Sequence, residues 1–288
     1  MFTDLALGAL GHPRDLPTAL ELAARHGFGG VDPDVGHLRG LGSRAQVQEL
    51  ADDLTSRGLR WGIGGLPVSL TAPPAVFAEQ LAALPEVAEV LAAAGVGAVG
   101  TWVKPMDDAL TYRRNWRLHV GRLALVAGVL DDAGIRLGLE YVGPKTFWST
   151  ERFPFVHSLA ELRELIADAG AGNVGVILDT YHWYTAGETA ADLRALTASD
   201  IISVDLNDAR DDLERDEQQD QDRRLPGATG VIDLAGFVDV LVELGYDGPV
   251  KAEPFLSSLA DRPVDDVLAE VSDLLDRALA RAQELSRS

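Results

Sequence analysis

The sequence predicts a single (β/α)8 barrel. Eight short apolar runs alternate with amphipathic helical segments, a glycine closes most helices, and four runs in the second half end in an acid. Alternating elements of this kind predict a parallel sheet, and eight units of about this total length predict a closed barrel. The alternative is an open doubly wound sheet, which is disfavoured because no glycine-rich dinucleotide fingerprint follows the first strand. We therefore expect one domain, 1–288.

The first half of the chain supplies four strand–helix units. The predicted strands are 5–10, 29–31, 59–63 and 99–103. The predicted helices are about 15–26, 44–57, 76–94 and 110–133. The glycines that follow these helices are typical C-terminal stop signals.

The second half repeats the unit, and each strand ends in an acid. The runs 135–139, 175–178, 201–204 and 249–252 are followed by Glu140, Asp179, Asp205 and Glu253. The helices are expected near 159–169, 188–197, 234–244 and 264–285. Short, continuously apolar runs are typical of buried parallel strands, and active-site residues gather where barrel strands end.

Composition excludes several classes of function. The net charge of −20 argues against nucleic acid and against anionic membrane surfaces as partners. The chain has no cysteine, which removes disulfides and thiolate sites and fits a reducing compartment. The first residues lack the features of a signal peptide, and no apolar stretch approaches the length of a membrane span. We expect a soluble cytoplasmic protein.

The four strand-end acids predict a metal site. In a barrel, strands five to eight are neighbours, so Glu140, Asp179, Asp205 and Glu253 share one rim. Carboxylates this close raise one another's pKa, and a divalent cation relieves the conflict. Ligands that are all oxygen favour Mg²⁺ or Mn²⁺ over Zn²⁺. The alternative is that these acids cap helices or pair with arginine.

Several residues near this rim are candidates for substrate binding. His182 lies three residues after Asp179, and Trp148 and Trp183 offer aromatic faces on which a sugar ring can stack, as do Tyr141 and Tyr184. Packing between loops is the alternative role for all of these aromatic rings. The acidic segment 207–230 contains Arg223 and Arg224, and a long connection after a barrel strand is a common place for substrate loops. Arg223 is the stronger candidate of the two.

Four stretches resemble the sugar isomerase/epimerase superfamily, the xylose-isomerase-like barrels. They are Leu139-Glu140-Tyr141, the run from Val174 to His182, the run Val204-Asp205-Leu206-Asn207-Asp208-Ala209, and Arg224-Leu225-Pro226-Gly227 continuing to Ala252-Glu253-Pro254-Phe255. The resemblance implies a divalent metal held by Glu140, Asp179, Asp205 and Glu253, with His182 contacting substrate oxygens. Related epimerases typically have histidine at the position of Asp205, whereas xylose isomerases use carboxylates alone; the aspartate moves the expected ion toward Mg²⁺ or Mn²⁺.

The resemblance implies an isomerase or epimerase that acts on a keto-sugar through an enediolate, with Glu140 and Glu253 as the acid/base pair. A keto-sugar lyase or dehydratase with the same site is one alternative, and a carbohydrate-binding barrel without activity is another. An endonuclease IV-like enzyme is disfavoured, since it needs several histidines and a basic surface. The expected partner is a small sugar, and a homo-oligomer is a family expectation.

Overall fold

The computed structural model describes residues 1–13 and 15–285, and its main feature is one nine-stranded parallel sheet. The strands are β1 (Phe2–Leu5), β2 (Gly30–Val31), β3 (Arg60–Trp61), β4 (Gly64–Gly65), β5 (Ala98–Trp102), β6 (Met106–Asp107), β7 (Arg136–Glu140), β8 (Phe153–Pro154), β9 (Val174–Asp179), β10 (Ile201–Leu206) and β11 (Pro249–Ala252). Their order in the main sheet is β3-β2-β1-β11-β10-β9-β7-β5-β4, and β6 and β8 form a separate antiparallel pair.

The sheet closes on itself because its two edge strands are consecutive in the chain. Only Gly62 and Ile63 separate β3, which pairs with β2, from β4, which pairs with β5. The backbone N–H of Gly62 still donates to Val31 O at 3.0 Å. Residues 60–65 thus form one bent strand that pairs with β2 at its start and with β5 at its end. The eight-stranded barrel predicted from the sequence is confirmed.

Helices cover the outside of the sheet. They are α1 (Leu16–Arg25), α2 (Val35–Gly40), α3 (Arg44–Ser56), α4 (Pro74–Ala93), α5 (Tyr112–Asp132), α6 (Lys145–Trp148), α7 (Leu159–Ala169), α8 (Thr180–Thr185), α9 (Ala190–Leu193), α10 (Leu234–Leu244) and α11 (Val264–Leu285). Side-chain caps fix several starts: Ser158 accepts from the Glu161 N–H at α7, and Asp233 accepts from the Gly236 N–H at α10. Within the described residues, none of these helices is long and apolar enough to cross a membrane.

Two sequence-based boundaries are wrong. The first strand is residues 2–5 rather than 5–10, because Leu7–Leu10 forms a 3₁₀ turn that buries Leu7 and Leu10 in the core. A short apolar run cannot by itself distinguish a strand from a buried turn. The helix expected at 188–197 is shorter and is limited to α9. The chain becomes helical earlier, directly after β9, where the Asp179 side chain caps α8.

The barrel interior contains a small apolar plug below its open rim. Ile63, Ile177 and Ile202 pack together there as a buried cluster. Gly100 makes room for this cluster, since a Cβ built on it would lie 2.6 Å from Ile177 Cδ1. Above the plug the interior becomes charged, and this layer holds the candidate site.

Candidate metal centre and active site

The four predicted acids converge at the rim of the barrel. Glu140 ends β7, Asp179 ends β9, Asp205 lies near the end of β10, and Glu253 follows β11. One carboxylate oxygen from each lies within 4.8 Å of the corresponding oxygen of the others. The parallel register explains the convergence, because Asp205 pairs directly with Asp179 across neighbouring strands. We call these four residues the acid cluster.

Asp179 is the most extensively hydrogen-bonded member of the acid cluster. Its Oδ1 accepts from the N–H groups of Tyr181 (2.6 Å) and His182 (3.3 Å), which begins helix α8. Its Oδ2 accepts from Asn207 Nδ2 at 2.9 Å and from Arg223 Nη1 at 2.7 Å. The carboxylate is therefore held in one orientation from both sides.

Arg223 places a buried positive charge beside the acid cluster. Besides Asp179, its Nη1 contacts Glu253 Oε2 at 3.4 Å, and its Nη2 donates to Asp220 Oδ1 at 2.9 Å. These acids hold the pKa of Arg223 above its usual range although burial alone would lower it. Arg223 thus lies at the acid cluster, whereas the Arg224 side chain donates to Asp222 Oδ1 at 2.7 Å.

One guanidinium is not enough to neutralise the acid cluster. Burial raises the pKa of Glu140 well above its usual range, and Glu253 and Asp179 raise it further. The pKa of Asp205 is also raised by burial, against the opposing influence of Lys251. Among the described residues, the buried oxygens Glu140 Oε1 and Asp205 Oδ1 have no hydrogen-bond partner. Unpartnered oxygens in an all-oxygen donor set fit a hard divalent cation.

A second charged layer lies beside the acid cluster, and sequence reasoning missed it. Lys251 Nζ lies 2.8 Å from Asp32 Oδ2 and 3.9 Å from Asp205 Oδ1, and its side chain is 7% exposed. Asp4 is buried next to Asp32, which with burial raises the Asp4 pKa. The signal was present: Lys251 lies two residues before Glu253, so both side chains face the barrel interior.

His182 is buried against the acid cluster. Its Nδ1 accepts from the Gly143 N–H at 3.4 Å, and its Nε2 lies 3.5 Å from Glu140 Oε1 and 3.2 Å from Arg223 Nη2. Burial lowers the pKa of His182 to about 4, so the ring is neutral near pH 7. Glu140, Asp179 and His182 form a second set that could hold a metal ion.

The predicted aromatic residues lie in different surroundings. Trp183 packs edge-on against Phe237 and its Nε1 donates to Thr189 O at 3.3 Å. Trp148 packs against His157 with the rings tilted by 32° and their centroids 4.7 Å apart, and the Tyr141 hydroxyl donates to Glu188 Oε2 at 2.5 Å. The structure gives all three an intramolecular partner, so their contact with substrate stays a prediction.

An open cavity of about 590 Å³ leads to the acid cluster, and Glu140, Asp205 and Glu253 line it together with Lys251. This volume is within the range of small-molecule sites. The cavity is also lined by Trp102, whose side chain is 47% exposed and which the sequence analysis did not single out. An aromatic residue near the end of the predicted strand 99–103 was the available signal.

Comparison with known proteins gives a family. The family model described as "Xylose isomerase-like TIM barrel" matches residues 20–278. A solved structure of a xylose isomerase domain protein from Alicyclobacillus acidocaldarius is similar over 98% of this chain and 99% of that one, with a TM-score of 0.86 and 33% identity.

Two curated relatives have named activities. An inosose isomerase of Halalkalibacterium halodurans is 26% identical over 157 residues, which is 54% of this chain and 52% of that protein. A 3-dehydroshikimate dehydratase of Pseudomonas putida is 26% identical over 253 residues, which is 83% of this chain and 36% of that protein. The chain thus spans about half or less of the length of these relatives.

Proposed function

The chain belongs to the xylose isomerase-like TIM barrel family, and we propose that it is a divalent-metal-dependent isomerase or epimerase of a keto-sugar. One observation carries the proposal: four carboxylate oxygens lie within 4.8 Å of one another at strand ends, and three of their residues, Glu140, Asp205 and Glu253, line an open cavity. The activities named for the two curated relatives, an isomerase and a dehydratase, support a carbonyl-containing, hydroxylated substrate.

The acid cluster supplies the oxygen ligands for the ion, and Mn²⁺ or Mg²⁺ suits this donor set. When bound, a divalent ion stabilises negative charge on substrate oxygens. Arg223 holds the Asp179 carboxylate in place. His182 and Arg223 are the residues that contact substrate oxygens in this proposal, because both side chains lie at the acid cluster.

Glu140 and Glu253 are our acid/base pair. Strands β7 and β11 flank β9 and β10 in the sheet, so these glutamates are the outer members of the acid cluster and approach a ligand from two directions. One carboxylate removes the proton from the carbon that bears a hydroxyl next to the carbonyl, which gives an enediolate. The other returns a proton, to the opposite face for epimerisation or to the neighbouring carbon for isomerisation. Burial raises the pKa of Glu140 above its usual range, and a raised pKa makes a carboxylate a stronger base.

A dehydratase is the second candidate, supported by the match to 3-dehydroshikimate dehydratase over 83% of this chain. The first step is the same proton removal, and the enediolate then expels a hydroxyl from the next carbon instead of regaining a proton.

Proton exchange in D₂O tests the proposal. Mn²⁺-loaded protein is incubated with ketoses, inososes and 3-keto-glucosides, and loss of C–H signal is followed by NMR beside a chelator-treated sample. We expect metal-dependent exchange at one carbon next to the carbonyl of one substrate. Exchange should disappear in Glu140→Gln and Glu253→Gln and persist in Glu243→Gln, whose carboxylate pairs with Arg194 on the outer surface. Ligand binding without exchange in any sample would instead identify a carbohydrate-binding barrel.

A further inference from the structure

The cavity has two unlike sides. The acid cluster forms one side, at the ends of β7, β9, β10 and β11. The other side is built by the segments that follow β1, β2, β3 and β4, and we call its five side chains the apolar wall. They are Leu7, Pro33, Val35, Ile63 and Leu66.

The apolar wall offers few partners to a sugar hydroxyl. Of the polar residues that line its side of the cavity within the described chain, Asp34 uses its Oδ1 to accept from the His37 N–H at 2.8 Å, where it caps α2. Asp32 is engaged by Lys251 at 2.8 Å. A hydroxyl buried against the five side chains of the apolar wall would lose its bonds to water without replacement, whereas an apolar group there would gain free energy by leaving water.

Aromatic rings extend the apolar wall toward the acid cluster. Trp102 stands half exposed at the rim, and Phe255 lies beyond β11 with the Arg223 guanidinium 4.7 Å from its ring centroid. Phe255 is the one non-glycine residue of the described chain with a positive φ, 45°. A strained backbone of this kind persists only where surrounding contacts hold it, and such positions concentrate at functional sites.

Glycines at the same side leave space for a ligand group. Gly65 pairs with Gly100 across neighbouring strands. A Cβ built on Gly100 would face the barrel interior, so a Cβ built on Gly65 would face the interior too. A Cβ built on Gly65 meets no atom within 4 Å. The cavity therefore has open space at Gly65, directly before Leu66 of the apolar wall.

We propose that the substrate is a keto-sugar with an apolar substituent, such as the aglycone of a keto-glycoside, which lies on the apolar wall while the reacting carbons face the acid cluster. This inference rests on the proposed function and names the substrate class of that site.

The test is a homologous series of 3-keto-β-D-glucosides with methyl, ethyl, propyl and butyl aglycones, titrated calorimetrically into Mn²⁺-loaded protein. Each methylene buried against the wall should tighten binding about fourfold. The 2-methoxyethyl glycoside has as many heavy atoms as the butyl glycoside, but an ether oxygen replaces one methylene group. It should therefore bind more weakly than the butyl glycoside. Affinity that is flat or falls along the series overturns the proposal.

Two variants locate the substituent. Gly65→Val fills the space beside the wall and should weaken butyl binding at least tenfold while changing methyl binding less than twofold. Trp102→Ala should reduce the gain per methylene, and the control Val76→Thr, at an exposed position on α4, should change nothing. Equal losses for methyl and butyl glycosides in both cavity variants would contradict the assignment.

The outcomes separate this inference from the proposed function. Exchange on a free ketose with no gain along the series would overturn only the substituent. No binding of any glycoside and no exchange on any ketose would overturn both.

Discussion

The two sides of the cavity are made by the same strand–helix unit but are held together by different forces. On the side of the acid cluster, side chains are fixed by charge: Asp179 alone accepts four hydrogen bonds, two of them from Asn207 and Arg223. On the opposite side, Leu7, Val35 and Leu66 only pack. Under the proposed function, this difference corresponds to a division of labour, in which the acid cluster performs the chemistry and the apolar wall selects the substrate.

The largest expected difference between the sides is at their capping aspartates. Asp179→Asn removes the carboxylate that faces Arg223 and leaves that buried guanidinium without its shortest ion pair. Loss of one partner from a buried pair costs about 3–5 kcal/mol of unfolding free energy, and Mn²⁺ binding should be lost. Urea denaturation and calorimetric titration with Mn²⁺ measure the two effects.

Asp34→Asn is the matched control on the side of the apolar wall, since Asp34 caps α2 as Asp179 caps α8. Asparagine caps a helix about as well as aspartate, so the free energy of unfolding should change by less than about 1 kcal/mol, and Mn²⁺ affinity should stay within twofold. Equal effects of the two variants on Mn²⁺ affinity would remove the distinction between the sides.

The next largest effect concerns the charged layer beside the acid cluster. Lys251→Met leaves Asp32 and Asp205 without their nearest cation and should lower the free energy of unfolding by about 3 kcal/mol. The double variant Lys251→Met/Asp32→Asn removes both partners and should recover part of the loss. Lys104→Met, which breaks the more exposed pair with Glu151, should cost at most about 1 kcal/mol. A loss no larger than that of Lys104→Met would show that Lys251 is not needed to balance the buried acids.

The free energy of unfolding is expected to depend on pH through the buried Glu188. Burial raises the pKa of Glu188 to about 7, against hydrogen bonds from Tyr141 and the Leu159 N–H that lower it. Because the folded-state pKa is raised, the protonated form stabilises the fold at low pH, and this contribution is lost as the pH rises through 7.

Between pH 5 and 8 the loss amounts to about 2 kcal/mol of unfolding free energy. Urea denaturation across this range should show a shallower pH dependence in Glu188→Gln than in the wild-type protein. Glu86→Gln, at an exposed position on α4, should leave the pH dependence unchanged. Identical pH profiles for wild type and Glu188→Gln would refute the assignment.

The smallest effect on the metal is expected from the apolar wall. Leu66→Ala removes a partly buried contact at the cavity and should leave the Kd for Mn²⁺ within twofold of wild type, because no charge changes. The same variant should weaken binding of the butyl 3-keto-glucoside several-fold. A large change in Mn²⁺ affinity would show that the two sides are coupled.

The difference between the acid cluster and the apolar wall also explains which features could be predicted from the sequence. The four acids follow long apolar strands, whose ends in a barrel must share a rim, so their convergence was predictable. The helices expected near 159–169, 234–244 and 264–285 coincide with α7, α10 and α11. Serine or aspartate caps and apolar periodicity mark the first two, and apolar periodicity marks the last.

The apolar wall was not predicted from the sequence, although the strands expected at 29–31 and 59–63 overlap β2 and β3. The strands β2, β3 and β4 have only two residues each, too few for a periodic pattern, and the apolar wall comes mostly from segments beyond strand ends. The pairing of Lys251 with Asp32 joins residues 219 positions apart. Such contacts follow from barrel closure, not from local pattern.

The central claim is that the acid cluster holds a divalent metal, and anomalous diffraction from crystals soaked in Mn²⁺ tests it most directly. The account predicts one strong peak at coordination distance from carboxylate oxygens of Glu140, Asp179, Asp205 and Glu253. The absence of a peak there, or a peak only at other carboxylates, would contradict it.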